Sequence, residues 1–352
     1  MEKIKIKIKD VEIGAGAPVS IQSMTNTKTD DTKATLNQIE NLAKEGCEII
    51  RVAVLNKTCA NALGEIVKYS PIPVVADIHF DYRLALIAME KGIHALRLNP
   101  GNIGSIEHTK KVVEMAKQTQ TPIRIGVNAG SLEKDLYENN SMPLEDKMII
   151  SAQRHIKILE DLDFRLIKVS LKSSNTMTTI KAYKKMFELS PYPLHVGLTE
   201  SGTLRSGIVK SSIAIGSLLS LGIGDTIRVS LTEDPIEEVK LAKEILETLG
   251  LRKNEKVKFV SCPTCGRTQI DLIGLAKKVE EKFKDLKAPI TIATMGCPVN
   301  GPKEAKGADY GIAGAIKEGY IFKKGEMIKK VPQEALLDEF QKIIYEDLKI
   351  QS

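Results

Sequence analysis

The chain has 352 residues, 42% apolar and 27% charged, with a formal net charge of +6. That balance fits a soluble globular protein long enough for two domains, and it excludes disordered and nucleic-acid-binding classes because the basic surplus is spread along the chain. No run of roughly 18 apolar residues is present to span a membrane, and with no signal-peptide pattern the five cysteines point to a reducing, cytoplasmic setting.

The first residues, Met-Glu-Lys-Ile-Lys-Ile-Lys-Ile-Lys, alternate apolar and basic side chains with a period of two, which predicts an exposed β-strand. From Val19 to about Gly250 one unit then repeats, a short β-branched run followed by an amphipathic helical run. Strands are predicted at 19–24, 48–54, 74–80, 95–99, 123–128, 166–171, 194–198 and 226–231. Helical patterns follow each, such as 32–44, capped by Asp30 and Asp31, and 235–249, with Pro235 early in the helix and Gly250 as its stop signal. Eight such units over about 230 residues have the count and size of a (β/α)8 TIM barrel, an α/β fold, with a doubly wound sheet as the alternative.

Residues 251–256, Leu-Arg-Lys-Asn-Glu-Lys, are polar and read as a linker, so domains are expected at 1–250 and 257–352. The second is predicted to hold a strand at 257–260, a helix at 269–283, a strand at 290–294, a glycine-rich stretch through Gly314 and a helix at 333–348. About 95 residues of this kind can form a separate α+β core. Gly101–Gly104 and Gly311–Gly314 lack a nucleotide fingerprint and read as turns.

Parallel barrel strands are buried on both faces and usually carry Val, Ile and Leu throughout. Several strands here carry polar residues two apart instead: Asp77 and His79, Arg97 and Asn99, Lys168, Ser170 and Lys172, Arg228 and Ser230; Arg124 and Asn128 also share a face. If those faces are interior, Arg51, Arg97, Arg124, Lys168 and Arg228 converge, with Asp77 and Glu200 as the obvious counter-charges. Burying that much positive charge is costly without a bound anion, so a phosphate or diphosphate ligand is expected. Glu200, at the end of the seventh strand, is the candidate proton donor.

Cys262-Pro-Thr-Cys265 and the distant Cys297, with Glu304 seven residues further on, give three thiols and a carboxylate. A zinc ribbon needs a second C-x-x-C pair and an ordinary [4Fe–4S] site a fourth cysteine, so the set suits an iron–sulfur cluster with one iron held by the carboxylate or left open. Structural zinc and a dithiol redox pair remain alternatives. Cys47 and Cys59 read as buried packing residues.

Together these runs resemble 4-hydroxy-3-methylbut-2-enyl diphosphate synthases, iron–sulfur enzymes of the non-mevalonate isoprenoid pathway. The resemblance rests on Ser-Met-Thr-Asn (23–26), Ala-Asp-Ile-His-Phe (76–80), Leu-Arg-Leu-Asn-Pro-Gly-Asn (96–102), Arg-Ile-Gly-Val-Asn (124–128), His-Val-Gly-Leu-Thr-Glu (195–200), Ser-Cys-Pro-Thr-Cys-Gly-Arg-Thr (261–268) and the run from Cys297 to Glu304. Lys303 departs from the family's Asn-Gly-Pro-Gly-Glu. The resemblance implies reductive ring opening and dehydroxylation of 2-C-methyl-D-erythritol 2,4-cyclodiphosphate, with electrons from ferredoxin or flavodoxin. It also implies a [4Fe–4S] cluster on Cys262, Cys265, Cys297 and Glu304. Arg51, Arg97, Arg124, Asn128, Lys168, Arg228 and Ser230 then become diphosphate contacts, and Glu200 the acid–base residue. His79, Asn99 and Ser170 join the substrate-binding candidates through their strand faces.

A barrel aldolase or pterin-type synthase with an appended zinc domain is the competing enzyme reading. An iron–sulfur sensor is the non-enzyme reading, and it has no use for five barrel cations. Finally, a helix at 235–249 carries the chain about 22 Å from the catalytic face, and six linker residues reach at most about 20 Å. A head-to-tail homodimer, with each cluster domain serving its partner's barrel, meets that constraint and is also what the resemblance implies.

Overall fold

The computed structural model describes residues 2–297 and 306–350. The chain divides into two compact units, Met1–Arg252 and Lys253–Ser352.

The first unit opens with an antiparallel hairpin, β1 (Ile6–Ile8) and β2 (Val11–Ile13). The expected exposed strand is in fact half-buried. Ile6, Ile8 and Ile13 pack with Ile49, Val75 and Ala95 from the barrel strands, while the lysines between them face solvent. A period of two marks one buried face, and here that face plugs the N-terminal end of the barrel.

Eight parallel strands follow: β3 (Ser20–Met24), β4 (Ile49–Ala53), β5 (Val74–Asp77), β6 (Ala95–Arg97), β7 (Ile123–Asn128), β8 (Ile167–Lys172), β9 (His195–Val196) and β10 (Thr226–Ile227). They run β3 to β8 in sequence around the sheet, β10 returns beside β3 with β9 next to it, and a single parallel bridge between Val169 and Leu194 closes the ring. The helices α1 (Thr32–Glu45), α2 (Lys57–Tyr69), α3 (Tyr82–Glu90), α4 (Ile106–Thr119), α5 (Lys134–Tyr137), α6 (Leu144–Asp161), α7 (Thr176–Leu189), α8 (Leu204–Leu219) and α9 (Pro235–Thr248) form the outer layer. Their ends obey local chemistry. The Asp31 carboxylate accepts from Ala34 N–H at the start of α1, and Gly46 ends it at φ +110°. Ile39 and Leu42 on its inner face join a continuous core with Ile21, Ile50 and Val52 from the strands. The result is a nearly closed TIM-like barrel.

The second unit holds a five-stranded mixed sheet. β11 (Lys258–Ser261), β12 (Thr291–Met295) and β13 (Tyr310–Ala315) are parallel, and β14 (Glu318–Lys323) and β15 (Glu326–Pro332) continue antiparallel. α10 (Leu272–Phe283) and α11 (Leu336–Leu348) cover one face around Val279, Phe283, Ile312 and Phe340. Gly311–Gly314 is not a turn but lies within the central strand β13. A Cβ on Gly311 would stand 2.1 Å from the ring of Phe322, its partner across the sheet, and one on Gly314 2.1 Å from Ile270, just before α10, so close packing favours glycine at both.

Candidate active site

The C-terminal end of the barrel gathers the polar strand residues. Arg51, Arg97, Arg124, Lys172 and Arg228 line a cavity of about 190 Å³ together with Asp77, His79, Asn128, Thr199 and Ser230. The strand register creates an unusual contact: Arg97 on β6 is paired with Arg124 on β7, and Arg124 with Lys168 on β8. Like charges directly opposite one another destabilise a sheet, so this row is held together by other means.

Asp77 is the first of these. Its Oδ1 lies 3.2 Å from Arg97 Nη1 and its Oδ2 3.6 Å from Arg51 Nε. Burial alone would raise the Asp77 carboxyl, but Arg51, the His79 hydrogen bond, Arg97 and Arg124 together hold it well below the usual carboxylate range. Backbone groups are the second. Arg97 Nη2 and Asn99 Nδ2 both donate to the Gly126 carbonyl, at 2.9 and 3.0 Å, and Gly126 N–H returns a bond to Asn99 Oδ1 at 2.8 Å. Position 126 must be glycine for this, since a Cβ there would meet Arg97 Nε at 2.4 Å.

Arg124 Nη1 donates to Ser170 Oγ at 2.6 Å, but its Nε and Nη2 have no partner among the described residues. Burial, then repulsion from Arg51 and Arg97, act against its charge, and Arg51 is pushed down to about 10 by burial. A guanidinium does not lose its proton in proteins, so these pressures read as an unmet demand for negative charge. On the far side Arg228 Nη2 sits 3.5 Å from Glu238 Oε2, and Met24 Sδ accepts from Arg51 at 2.9 Å.

The predicted site residues therefore separate. Arg51, His79, Arg97, Arg124, Asn128, Arg228 and Ser230 border the cavity. Asn99 and Ser170 are buried behind it, Asn99 bonded to the Gly126 backbone and Ser170 to Arg124, and Lys168 is buried without bordering it. Glu200 is exposed beside the lining residue Thr199 and is not itself part of the lining. Its φ of +54° is left-handed, a strained conformation for a residue with a Cβ.

The second counter-charge expected at Glu200 is instead Glu238, from the first turn of α9, whose Oε1 also accepts from Leu231 N–H at 2.9 Å. Sequence reasoning missed it because an acid in a first helical turn reads as a helix-dipole partner. Lys172 was visible in the period-two run of β8 and proves to be the cavity lysine on that strand.

In the second unit, Cys262 follows β11 and Cys297 follows β12, the adjacent parallel strand. Cys262 N–H donates to the Thr294 carbonyl at 3.2 Å, and Cys262 Sγ accepts from Gly296 N–H at 3.2 Å. Cys265 is exposed, and hydrogen bonds from the Arg267 backbone and side chain pull its thiol below the ordinary value. Ala293, Met295, Ala308 and Phe322 form an apolar wall that Cys262 packs against. The donor set suits an iron–sulfur group: reduced thiols close after strand ends, one pulled below its ordinary value by hydrogen bonds and one already receiving an N–H bond of the kind that tunes cluster sulfur. Among the described residues no three His, Cys, Asp or Glu side chains stand close enough to hold one metal ion. Glu304 and Lys303 lie outside the described residues. Cys47, by contrast, is buried and pushed up to about 12 by that burial.

Comparison with known proteins agrees with this division. The family model described as the GcpE TIM-barrel domain matches residues 3–243, and that of the GcpE protein C-terminal domain matches residues 258–346. Proteins named 4-hydroxy-3-methylbut-2-en-1-yl diphosphate synthase (flavodoxin) are similar over nearly the full chain. That of Fusobacterium nucleatum subsp. nucleatum is 57% identical over 335 residues, covering 95% of this chain and 94% of the relative. That of Clostridium perfringens is 54% identical, covering 97% and 98%, and that of Bacillus subtilis 53% identical, covering 94% and 88%. Among solved structures, dihydropteroate synthase from Yersinia pestis superposes with a TM-score of 0.51 at 12% identity, over 71% of this chain and 98% of that one, a likeness of barrel fold alone. The chain belongs to the GcpE family, that of the 4-hydroxy-3-methylbut-2-en-1-yl diphosphate synthases.

Proposed function

We propose that the protein converts 2-C-methyl-D-erythritol 2,4-cyclodiphosphate to 4-hydroxy-3-methylbut-2-enyl diphosphate in the cytoplasm, consuming two electrons delivered singly by flavodoxin or ferredoxin. The observation that carries this reading is the cavity in which four guanidinium groups and Lys172 gather around Asp77 with too little negative charge to balance them. A cyclic diphosphate supplies that charge. Arg51 and Arg97, aligned by Asp77, Arg124, aligned by Ser170, and Arg228, held by Glu238, present guanidinium edges to its oxygens. Asn128, Ser230 and His79 complete the polar lining, and Lys168 adds positive potential from beneath.

Cys262, Cys265, Cys297 and Glu304 are the residues that would hold a [4Fe–4S] cluster, which when bound supplies single electrons and a Lewis-acidic iron for hydroxyl removal. The ring carbon–oxygen bond breaks with both phosphates retained at one end, and a hydroxyl leaves as water. Glu200, on the loop that also brings Thr199 to the cavity, is placed in this proposal as the proton donor.

A head-to-tail homodimer is part of the same reading. Arg252 bonds Val19 O and Glu48 Oε2, at 3.2 and 2.8 Å, which fixes the end of the first unit near the starts of strands β3 and β4 rather than at the cavity. Mixed dimers of Cys297→Ser and Arg124→Ala subunits test for shared sites, with activity recovered in about half of the sites if each draws on both subunits. The whole proposal is tested by iron and sulfide analysis of anaerobically purified protein, then assay with the cyclic diphosphate and a chemical reductant. Protein loaded with iron and sulfide yet unable to consume the cyclic diphosphate overturns it.

A further inference from the structure

Beneath the cavity the barrel holds a layer of polar side chains that the reaction does not use directly. Lys168, His195 and Gln22 are 2%, 0% and 2% exposed and do not border the cavity. Lys168 Nζ, His195 Nε2 and both amide atoms of Gln22 have no hydrogen-bond partner among the described residues. Arg124 stands directly across from Lys168 on β7, Arg51 acts on it from β4, and Lys172 lies four residues further along its own strand. His195 on β9 is tied to Thr226 Oγ1 on β10 through Nδ1, at 2.9 Å. Asp225, the carboxylate acting on Lys168, is already engaged, since its Oδ2 accepts from Leu194 N–H at 2.7 Å.

An ammonium buried without a hydrogen-bond acceptor and facing two guanidinium groups is the form the fold disfavours. Burial first, and Arg124 and Arg51 after it, bring Lys168 down to about 7, and burial with Arg124 and Lys172 holds His195 neutral. An anion in the cavity reverses the balance, because its charge offsets the guanidinium groups that oppose a proton on Lys168.

We propose that Lys168 is neutral in the empty barrel and takes up a proton when a polyanion fills the cavity, so that substrate binding is proton-coupled while His195 stays neutral beside it. The inference rests on the polyanion reading of the cavity given above. It predicts that affinity falls about tenfold per pH unit above about pH 7, where the proton must be captured on binding.

The test is calorimetric titration of the full chain with 2-C-methyl-D-erythritol 2,4-cyclodiphosphate, whose two phosphates each carry one ester bond and the shared anhydride bond, leaving one strongly acidic hydroxyl apiece, and so do not themselves titrate near neutrality. At about pH 8, heats measured in buffers of different ionisation enthalpy give the protons taken up. Wild type is expected to capture close to one proton more than Lys168→Arg, whose charge is permanent, and the Arg variant should bind with a shallower pH slope. This difference isolates Lys168 from Lys172, which burial and Arg228 also press toward the neutral form. Equal proton uptake in wild type and Lys168→Arg overturns the inference and leaves the polyanion reading intact, whereas absence of binding at any pH overturns both. If Lys168→Arg does not fold, Lys168→Met serves for the same comparison, and a wild-type affinity independent of pH between about 7 and 9 overturns the inference by itself.

Discussion

Arg97 Nη1 stands 3.2 Å from Asp77 Oδ1 while Arg51 Nε stands 3.6 Å from the other oxygen of the same carboxylate, so one buried acid aligns two of the cavity's guanidinium groups. Both arginines and the acid are at most 11% exposed. Removing the acid leaves two desolvated cations facing each other, and Asp77→Asn is expected to cost about 3 to 5 kcal/mol of stability. The sign of the pH dependence follows from the depressed carboxyl. Its stabilisation is present above the unfolded-state value of about 4 and is lost as pH falls below it toward the folded-state value. Urea unfolding of wild type and Asp77→Asn at about pH 7 and pH 3 checks both points, with the gap between them narrowing at the lower pH.

Arg124 has the opposite character, because it is buried, contacts Ser170 and otherwise lacks partners among the described residues. Arg124→Ala should weaken binding of the cyclic diphosphate by about 1.5 to 3 kcal/mol, the range for hydrogen bonds to a charged group. It should leave the thermal stability of the empty protein unchanged or raised, since an uncompensated cation is gone. Calorimetry and thermal unfolding on the same preparation separate the effects. Unaltered affinity with a large loss of stability would place Arg124 in a structural network instead.

Much of this was legible in the sequence, and the reasons differ by element. The barrel could be read because short β-branched runs alternate with amphipathic helical runs, some of them with recognisable caps. The cation row could be read because Arg97, Arg124 and Lys168 break the apolar pattern of buried parallel strands, and no surface role asks for that. Glu238 could not, since its position in α9 has a sufficient local explanation and its meeting with Arg228 depends on how helix and barrel close. Gly311 misled for a related reason. Glycine signals a turn locally, and only the Phe322 ring across the sheet explains it as part of a strand.

The cysteines provide a contrast within one chain. Cys262→Ser, Cys265→Ser and Cys297→Ser should each abolish iron binding and turnover, as each removes one of three thiolates. Cys47→Ala should keep full iron content, because its thiol is sealed in the barrel core and pushed up to about 12. Glu304→Ala should retain three sulfur ligands and some iron while losing activity. Iron and sulfide analysis with visible absorbance reads all five variants, and a wild-type spectrum in any of the three serine variants would sink the cluster assignment.

Glu200 is the sharpest case, because its backbone and its side chain make separate predictions. The residue adopts φ +54° in the loop after β9, immediately after Thr199, which lines the cavity. Residues with a Cβ pay about 1 to 2 kcal/mol for that conformation and glycine does not. A position that keeps a carboxylate there despite the strain is a candidate for function. Glu200→Gly should therefore stabilise the folded barrel or leave it unchanged, while turnover is lost. Glu200→Gln should keep both stability and affinity for the cyclic diphosphate and lose turnover, since the amide preserves shape but cannot deliver a proton. Single-turnover rates under anaerobic conditions, with affinity measured alongside, decide the matter: normal turnover in Glu200→Gln removes this carboxylate from the reaction and leaves its strained backbone as a feature of the loop alone.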